Sequence, residues 1–307
     1  MSEKMTKEEK KALKKEKREK FRGSIIGIVI ETLVLFVVSN IIAIIILYPT
    51  KSIANSNPLA YALIYNYTPV AIMGIIFTIY MAIKYKDIFA TLKYGYKKNN
   101  IVTFLIGLVI GFAMNGLAIL VAHLFGCVNF KPGTLGIAGI ICFIICSLQC
   151  IGEEVIARVF IYEKTLKRYP VWVALVLSSA FFAAAHLANP GATALSIIAT
   201  FLIGVFFALT VYYFDNVYIA FGIHSMWNFT QNFIFGLPNS GMAAASSFLQ
   251  IDGEVKNNVF AYSTIYGVEE TVFVVLLTCI FAIATIVIGC KMKNEKVTQL
   301  FKKQAAN

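Results

Sequence analysis

The sequence predicts an all-α polytopic membrane protein, a bundle of about eight transmembrane helices. Hydrophobic residues make up 59% of the 307-residue chain, and the mean hydropathy is +0.75, whereas soluble domains are about 45–50% apolar. Apolar segments long enough to cross a bilayer, about 20 residues each, recur along the chain. Because no water satisfies backbone groups inside the hydrocarbon layer, such segments must form packed helices.

Eight apolar segments mark the expected helices, and together they define a transmembrane bundle over residues 24–290. The fifth and seventh segments are short, so their boundaries are the least defined. An even number of crossings places both termini on one side of the membrane. The segments are residues 24–48, 59–83, 101–126, 134–157, 171–188, 194–214, 217–235 and 268–290.

The positions of Lys and Arg test this topology. With eight crossings, 23 of the 27 basic residues lie on one face. They occupy both tails and two loops, at residues 1–22, 84–98, 162–170 and 291–307. Cytoplasmic segments carry an excess of Lys and Arg, so we expect two cytoplasmic tails, residues 1–23 and 291–307.

The net charge of +11 would suggest nucleic-acid binding in a soluble protein. Here the charge lies in a mixed-charge N-terminal tail that we interpret as an anchor at anionic headgroups. The bilayer is therefore an expected partner and nucleic acid is not. The apolar segment after this tail is interpreted as a retained first span rather than a signal peptide.

Cysteine spacing raises a possible metal site. Cys142, Cys146, Cys150 and Glu154 repeat every four residues and share one helix face. A site of three thiolates is conceivable, but no second thiol cluster completes it, and we favour packing of small residues between helices. No pair of cysteines lies in two external loops, so no disulfide framework is indicated.

Three motifs place ionisable residues inside apolar segments. They are Glu-Glu-x-x-x-Arg at 153–158, Phe-x-x-x-His at 182–186 and His-x-x-x-Asn at 224–228. An ionisable residue at membrane depth costs several kcal/mol and is a functional hypothesis by default. A buried ion pair or a single histidine could serve packing alone. The three motifs together indicate a catalytic or transport site.

The first motif separates two carboxylates by role. Glu153 and Glu154 point about 100° apart on a helix. Arg158 lies four residues after Glu154, the favourable spacing for a helical ion pair, so this pair is expected to be structural. Glu153 is then left to face the bundle, where a carboxylate can serve as a general base.

The other motifs can be placed at the same depth as Glu153. The fourth helix is expected to end near Tyr169-Pro170, and Glu153 and His186 lie 16 and 17 residues from Tyr169. Each is then roughly 24–26 Å from the turn, level across an antiparallel hairpin. Glu153 with His186 could deprotonate a water, while His224 with Asn228 could bind an oxyanion.

A zinc site is the alternative for the same residues. Two histidines and a glutamate form a known catalytic zinc set, which makes Glu153, His186 and His224 candidate ligands. Asn228 is a poor zinc ligand but a good oxyanion donor, so we favour a site without a metal cofactor.

The three motifs resemble those of the CAAX prenyl endopeptidase and bacteriocin-processing (CPBP, or Abi) family of intramembrane proteases, over a core of about residues 135–235. The resemblance implies a helical membrane peptidase with an active site open to the cytosol. It implies that Glu153 and His186 activate water and that His224 and Asn228 bind the oxyanion. Glu154, Arg158 and Phe182 complete the motifs as supporting residues. Many bacterial members have Pro after the Glu pair, where this chain has Val155.

We therefore expect an intramembrane endopeptidase that hydrolyses a peptide bond of a peptide or membrane-associated protein near the cytosolic leaflet. The Lys-, Asn- and Ile-rich composition suggests a bacterial plasma membrane. The alternatives are a transporter, disfavoured because no internal repeat is found, and a non-catalytic bacteriocin-immunity protein. The loop at 236–267 could cap the bundle or gate substrate, or it could be a passive connection. Five polar residues are expected to serve packing or interfaces, namely Glu31, Asn115, His123, Glu269 and Glu270.

Overall fold

The computed structural model describes residues 6–302, and most of them are helical. Within that range there are thirteen α-helices and one two-stranded sheet. The helices are α1 Lys7–Arg22, α2 Ile25–Leu47, α3 Lys51–Asn55, α4 Pro58–Tyr61, α5 Thr68–Lys84, α6 Lys86–Ala90, α7 Ile101–Leu124, α8 Gly139–Glu154, α9 Tyr162–Leu166, α10 Val171–Ala185, α11 Ala194–Phe214, α12 Val217–Phe229 and α13 Val272–Lys293.

Three π-helical segments continue these helices, at Ala62–Tyr67, Val155–Ile161 and Thr230–Ile234. The first precedes α5, the second joins α8 to α9, and the third extends α12. Such segments inside helices are frequent at functional sites because they re-aim side chains.

The all-α polytopic architecture is confirmed. Among residues 6–302, six helical stretches are long and apolar enough to span a membrane. They are Ile25–Asn55, Pro58–Lys84, Ile101–Leu124, Gly136–Leu166, Ala194–Phe214 and Val272–Lys293. The fifth and seventh predicted spans correspond to shorter helices, α10 and α12, so the count of eight is not confirmed.

The basic loops meet at one end of the bundle. Lys97 and Lys293 both form ion pairs with Asp215, at 3.3 and 3.1 Å. Lys167, after α9, pairs with Asp87 in α6. These contacts join three loops and the end of α13, which we call the basic end. It matches the face to which the positive-inside rule assigns the basic residues.

The connection after α12 covers the opposite end of the bundle. Its strand β2, Leu249–Asp252, pairs antiparallel with β1, Asn129–Pro132. The side chain of Gln231 donates to the carbonyl of Pro238 and that of Asn232 donates to the carbonyl of Leu237, at 3.1 Å. The predicted 236–267 loop is therefore an ordered cap that is bonded to the helix carrying the third motif.

Glycines let the helices of the first and third motifs approach their neighbours closely. A methyl group on Gly74 of α5 would overlap the backbone of Gly152 in α8. A methyl group on Gly222 of α12 would overlap the backbone of α7 at Phe104. Small residues allow this backbone contact in membrane helix pairs. Gly152 immediately precedes Glu153, so this packing fixes the depth of the carboxylate.

Glu31 joins the first, second and fourth long helices near the basic end. It accepts hydrogen bonds from Tyr80 of the second helix and from Tyr85, which follows that helix. It also forms ion pairs with Arg22 and Lys164. A carboxylate within an apolar helix requires such partners to offset its desolvation. Its contacts are those of a residue that holds helices together.

Candidate active site

A cavity of about 210 Å³ lies between α2, α5, α8, α10, α11, α12 and the loop that follows α12. Its wall contains all four residues that the sequence predicts to be catalytic, namely Glu153, His186, His224 and Asn228. The fold therefore brings the three motifs to one place, although α8, α10 and α12 are separate in the chain.

Glu153 lines this cavity, and its two carboxylate oxygens have different surroundings. Its Oε1 accepts a hydrogen bond from Gln149 Nε2 at 2.6 Å, one helical turn earlier. Its Oε2 has no hydrogen-bond partner among residues 6–302 and lies 3.5 Å from His224 Nε2. A buried polar atom without a protein partner in a polar cavity indicates a position for water or substrate.

The ion pair predicted from the spacing of the first motif is present. Arg158 Nε lies 3.2 Å from Glu154 Oε2, and both side chains are fully buried. Arg158 Nη2 also donates to the carbonyl of Gly204 in α11, at 3.1 Å. The guanidinium lies 4.5 Å from the centroid of the Phe182 ring, a cation–π distance. The pair therefore ties α8 to both α10 and α11.

Glu154 has a second partner that the sequence does not reveal. Its Oε1 lies 2.9 Å from His224 Nδ1, and a carboxylate can only accept, so Nδ1 carries the proton. This contact turns His224 Nε2 toward Glu153. A carboxylate flanks each ring nitrogen, so both nitrogens can donate when the ring is protonated. The expectation that Glu154 serves only as the partner of Arg158 is incomplete.

His186 caps the end of α10, and its tautomer follows from its contact. Its Nδ1 lies 2.8 Å from the carbonyl oxygen of Phe182, which only accepts, so Nε2 is left with a lone pair. The Phe182 ring lies 4.8 Å from the His186 ring and 5.8 Å from that of His224. Phe182 therefore packs between both histidines and Arg158, which gives the aromatic residue of the second motif a structural role.

The contact of Glu153 across helices is with His224 rather than with His186. The hairpin prediction placed Glu153 level with His186, and both do line the cavity. That the two share one water stays a prediction. The hairpin prediction concerned α8 and α10, whereas His224 belongs to α12, which packs against α7 and α8.

The candidate zinc ligands do not form a metal site in this structure. Within the described part of the chain, no group of three His, Cys, Asp or Glu side chains is arranged to hold a metal ion. Nδ1 of each histidine is bonded within the protein, to the carbonyl oxygen of Phe182 and to the carboxylate of Glu154. Such a contact is usual for a histidine that binds a metal through Nε2. Whether Glu153, His186 and His224 hold a metal ion therefore stays a prediction.

The three cysteines of α8 lie in an apolar cluster. Cys142, Cys146 and Cys150 are fully buried and free, and they pack with Tyr67 and Phe233. This placement agrees with helix packing and not with a thiolate site.

The cavity also contains polar residues that the motifs do not include. Gln149 could have been found from its position one turn before Glu153. Asn239 and Glu269 come from the connection between α12 and α13 and also line the cavity. Glu269 was expected to be a packing or interface residue, and no local pattern distinguishes it from a charge that ends a span.

The cavity lies away from the basic end. Asn189 in the turn after α10, Asn239 and Glu269 all belong to the opposite end, and the cavity wall includes no residue of the basic loops that the structure describes. Cytoplasmic termini and a cavity open to the cytosol were both expected. Both stay predictions, because the hairpin argument fixed relative depth but not the end toward which the cavity extends.

Comparison with known proteins identifies the region that carries the motifs. Residues 135–230 match the family model described as Rce1-like, type II CAAX prenyl endopeptidase. No curated protein and no solved structure is significantly similar to the chain. All seven motif residues lie within the match, which supports a CAAX-type protease at the level of the family. Together with the apolar helices it indicates a multi-pass integral membrane protein. Residues 135–230 are thus similar to the Rce1-like family, which agrees with the resemblance to CAAX-type intramembrane proteases.

Proposed function

We propose that this protein is an intramembrane endopeptidase in which Glu153 acts as the general base. The observation that carries the proposal is the Oε2 atom of Glu153. Glu153 lines the cavity, and its Oε2 atom is buried, has no hydrogen-bond partner among residues 6–302 and lies 3.5 Å from the Nε2 atom of His224. A positioned carboxylate in such a site can take a proton from water.

The reaction follows from the donors and acceptors around this oxygen. Glu153 takes one proton from a water whose oxygen attacks the carbonyl carbon of the peptide bond. His224 and Asn228 donate hydrogen bonds to the oxyanion that forms, which is where such donors contribute most. The C–N bond then breaks, and Glu153 returns the proton to the leaving amine. His186 Nε2 is free to accept the second hydrogen of the attacking water.

Glu154, Arg158 and Phe182 are positioning residues in this scheme. Glu154 holds His224 Nδ1, Arg158 balances the charge of Glu154, and Phe182 packs against both histidines. No step in the scheme passes through a metal ion.

We place the reaction in the half of the bilayer away from the cytoplasm. The basic loops cluster at one end of the bundle, which supports cytoplasmic termini in a bacterial plasma membrane. Asn189, Asn239 and Glu269, which lie at the opposite end of the bundle, line part of the cavity. The substrates are then peptides, or membrane proteins cleaved near their outer ends, and this replaces the expectation of hydrolysis near the cytosolic leaflet.

The test compares purified wild-type protein with Glu153→Gln in lipid nanodiscs, using a quenched-fluorescent peptide library. Glutamine has nearly the same shape but is not a base, so cleavage should be abolished while folding is kept. Glu254→Gln, at an exposed position in the connection before α13, is the matched control and should cleave as the wild type does. Retention of most activity by Glu153→Gln would reject the assignment of the base.

The substrate can be sought with the same variant. Membrane and secreted proteomes of cells that express the wild type or Glu153→Gln should differ in a small set of new peptide termini. Termini on the cytoplasmic side of substrates would contradict the proposed depth of the reaction. Cleavage that is equal in both strains would contradict the proposed activity.

A further inference from the structure

Glu269 is a buried carboxylate surrounded by hydrogen-bond donors. Its Oε1 accepts from Trp227 Nε1 at 3.0 Å and from Asn239 Nδ2 at 3.1 Å. Its Oε2 accepts from the backbone N–H and the hydroxyl of Ser240, at 2.6 and 3.0 Å. Only 9% of the residue is exposed. Because the oxygens of an ionised carboxylate only accept hydrogen bonds, Asn239 must turn its NH₂ group, and not its carbonyl oxygen, toward Glu269.

The second hydrogen of that NH₂ group determines the orientation of Asn228. Asn239 Nδ2 also donates to Asn228 Oδ1, at 3.3 Å. The carbonyl oxygen of Asn228 therefore points toward the connection between α12 and α13, and its own NH₂ group points away from it. An asparagine amide has only these two orientations, which differ by a flip about one bond.

The same orientation is required from the side of the proposed base. Glu153 accepts from Gln149 Nε2 at 2.6 Å, so Gln149 Oε1 faces outward and accepts from Asn228 Nδ2 at 3.5 Å. Hydrogen bonds thus run in one direction through the side chains from Asn239 to Glu153. If the amide of Asn228 were flipped, its NH₂ group would face the NH₂ group of Asn239, and its carbonyl oxygen would face Gln149 Oε1. Neither pair could form a hydrogen bond.

We infer that Asn239 and Glu269 are positioning residues that hold Asn228 with its NH₂ group toward the reacting carbonyl. This inference rests on the proposed function, because it assigns to Asn228 the stabilisation of an oxyanion. One hydrogen of Asn228 Nδ2 is used by Gln149 and the other is available for the oxyanion. The connection between α12 and α13 therefore contributes to the site through Asn239 and Glu269, which lie outside the Rce1-like match at residues 135–230.

Two substitutions of Asn239 distinguish loss of the contact with Asn228 from a contact that turns the Asn228 amide the wrong way. Asn239→Ala removes one of the two contacts that orient Asn228 and leaves the one with Gln149. Half of the molecules or more therefore stay competent, and kcat falls about two- to tenfold. Asn239→Asp has the same shape but at most one proton on the group. If that proton serves Glu269, an oxygen faces Asn228 and turns its amide the wrong way.

The expected order of activities is therefore specific. Asn239→Asp should approach the loss caused by Asn228→Ala, which for an oxyanion donor is about 10²–10³ in kcat. KM should change little, because the affected contact forms only in the transition state. Asn239→Ala should be much more active than Asn239→Asp. The control is Asn257→Asp in the same connection, where an exposed side-chain oxygen accepts from Thr264 N at 2.7 Å and Asp can do the same.

Combination with Asn228→Ala completes the experiment. In that background neither Asn239 substitution should lower kcat further, because the amide that they orient is gone. Equal activity of the two Asn239 variants, or a full additional loss in the Asn228→Ala background, would overturn the inference. If the wild-type protein cleaves substrate and Glu153→Gln does not, the proposed function holds whatever the Asn239 variants show.

Thermal stability gives a second readout that needs no substrate. Asn228→Ala and Asn239→Ala should each lower the Tm in detergent, and the double variant should lose less than the two losses added together, because both remove one hydrogen bond. Strict additivity of the two shifts would show that the bond between Asn228 and Asn239 is not formed, and would overturn the inference even for a preparation without activity.

Discussion

Replacement of Arg158 by alanine should destabilise the protein by about 3 kcal/mol or more. Arg158 and Glu154 are both fully buried and lie 3.2 Å apart. Removal of one partner from such a pair costs about 3–5 kcal/mol, because it leaves a buried charge without compensation. The lost contact of the guanidinium with Phe182, 4.5 Å from the ring centroid, adds about 2 kcal/mol, because the contact is desolvated.

One contact in the structure reduces this cost. Glu154 keeps its hydrogen bond from His224 Nδ1, at 2.9 Å, so the remaining carboxylate is not entirely without a donor. We therefore expect the lower part of the range for the ion pair. Activity should fall as well, because Glu154 holds His224 and would move once its ion-pair partner is gone.

The assay is unfolding of the purified protein by SDS in mixed micelles, followed by circular dichroism. The control is the double variant Glu154→Gln with Arg158→Met, in which neither charge of the pair remains and the amide oxygen of the introduced glutamine can still accept from His224. Buried ion pairs replaced by neutral residues of similar volume often lose little stability, so the double variant should recover most of the loss. A stability within about 0.5 kcal/mol of the wild type for Arg158→Ala would refute the reasoning, as would a double variant as unstable as the single one.

Three further predictions concern the metal, the topology and the packing. Exhaustive chelation should leave the activity of the purified protein unchanged. If the protein instead contains stoichiometric zinc, and its removal abolishes an activity that added zinc restores, His186 and His224 are ligands. Reporter fusions after residue 307 and at Asp252 should report opposite sides of the membrane, with residue 307 in the cytoplasm, and the same side for both would reject the eight-helix topology. Gly222→Ala should destabilise the protein because a methyl group there would overlap the backbone of α7, whereas Gly116→Ala, with nothing within 4 Å, should be neutral or stabilising by about 0.5–1 kcal/mol. Equal stability of the two glycine variants would contradict the close packing of α7 and α12.

Much of the bundle could be predicted because the membrane imposes simple rules. Apolar length located the six long helices to within several residues in most cases. The basic segments that the positive-inside rule groups together do meet at one end. The two shorter helices, α10 and α12, were expected as spans, and their length alone does not establish this. Hydropathy measures composition along one segment and cannot show how a short helix is covered by its neighbours.

The candidate site was predictable where its contacts are local. The spacing of Glu154 and Arg158 predicts their ion pair, because residues four apart on a helix are neighbours. The spacing of Phe182 and His186 places both on one face, and the structure adds that the histidine bonds to the carbonyl of Phe182. Such contacts depend on helical geometry alone, so a sequence is sufficient to find them.

The contacts between helices could not be predicted from the motifs. The motifs indicate residue types and their relative depth, but not that Glu154 holds His224 or that Glu153 faces His224 rather than His186. Glu154 and His224 are 70 residues apart in the chain, and Glu269 reaches the site through Asn239 from a connection without a motif. Local periodicity fixes the face of a helix that a residue occupies. The rotation of that helix against its neighbours depends on glycine contacts and side-chain packing throughout the bundle, and only the tertiary structure decides it.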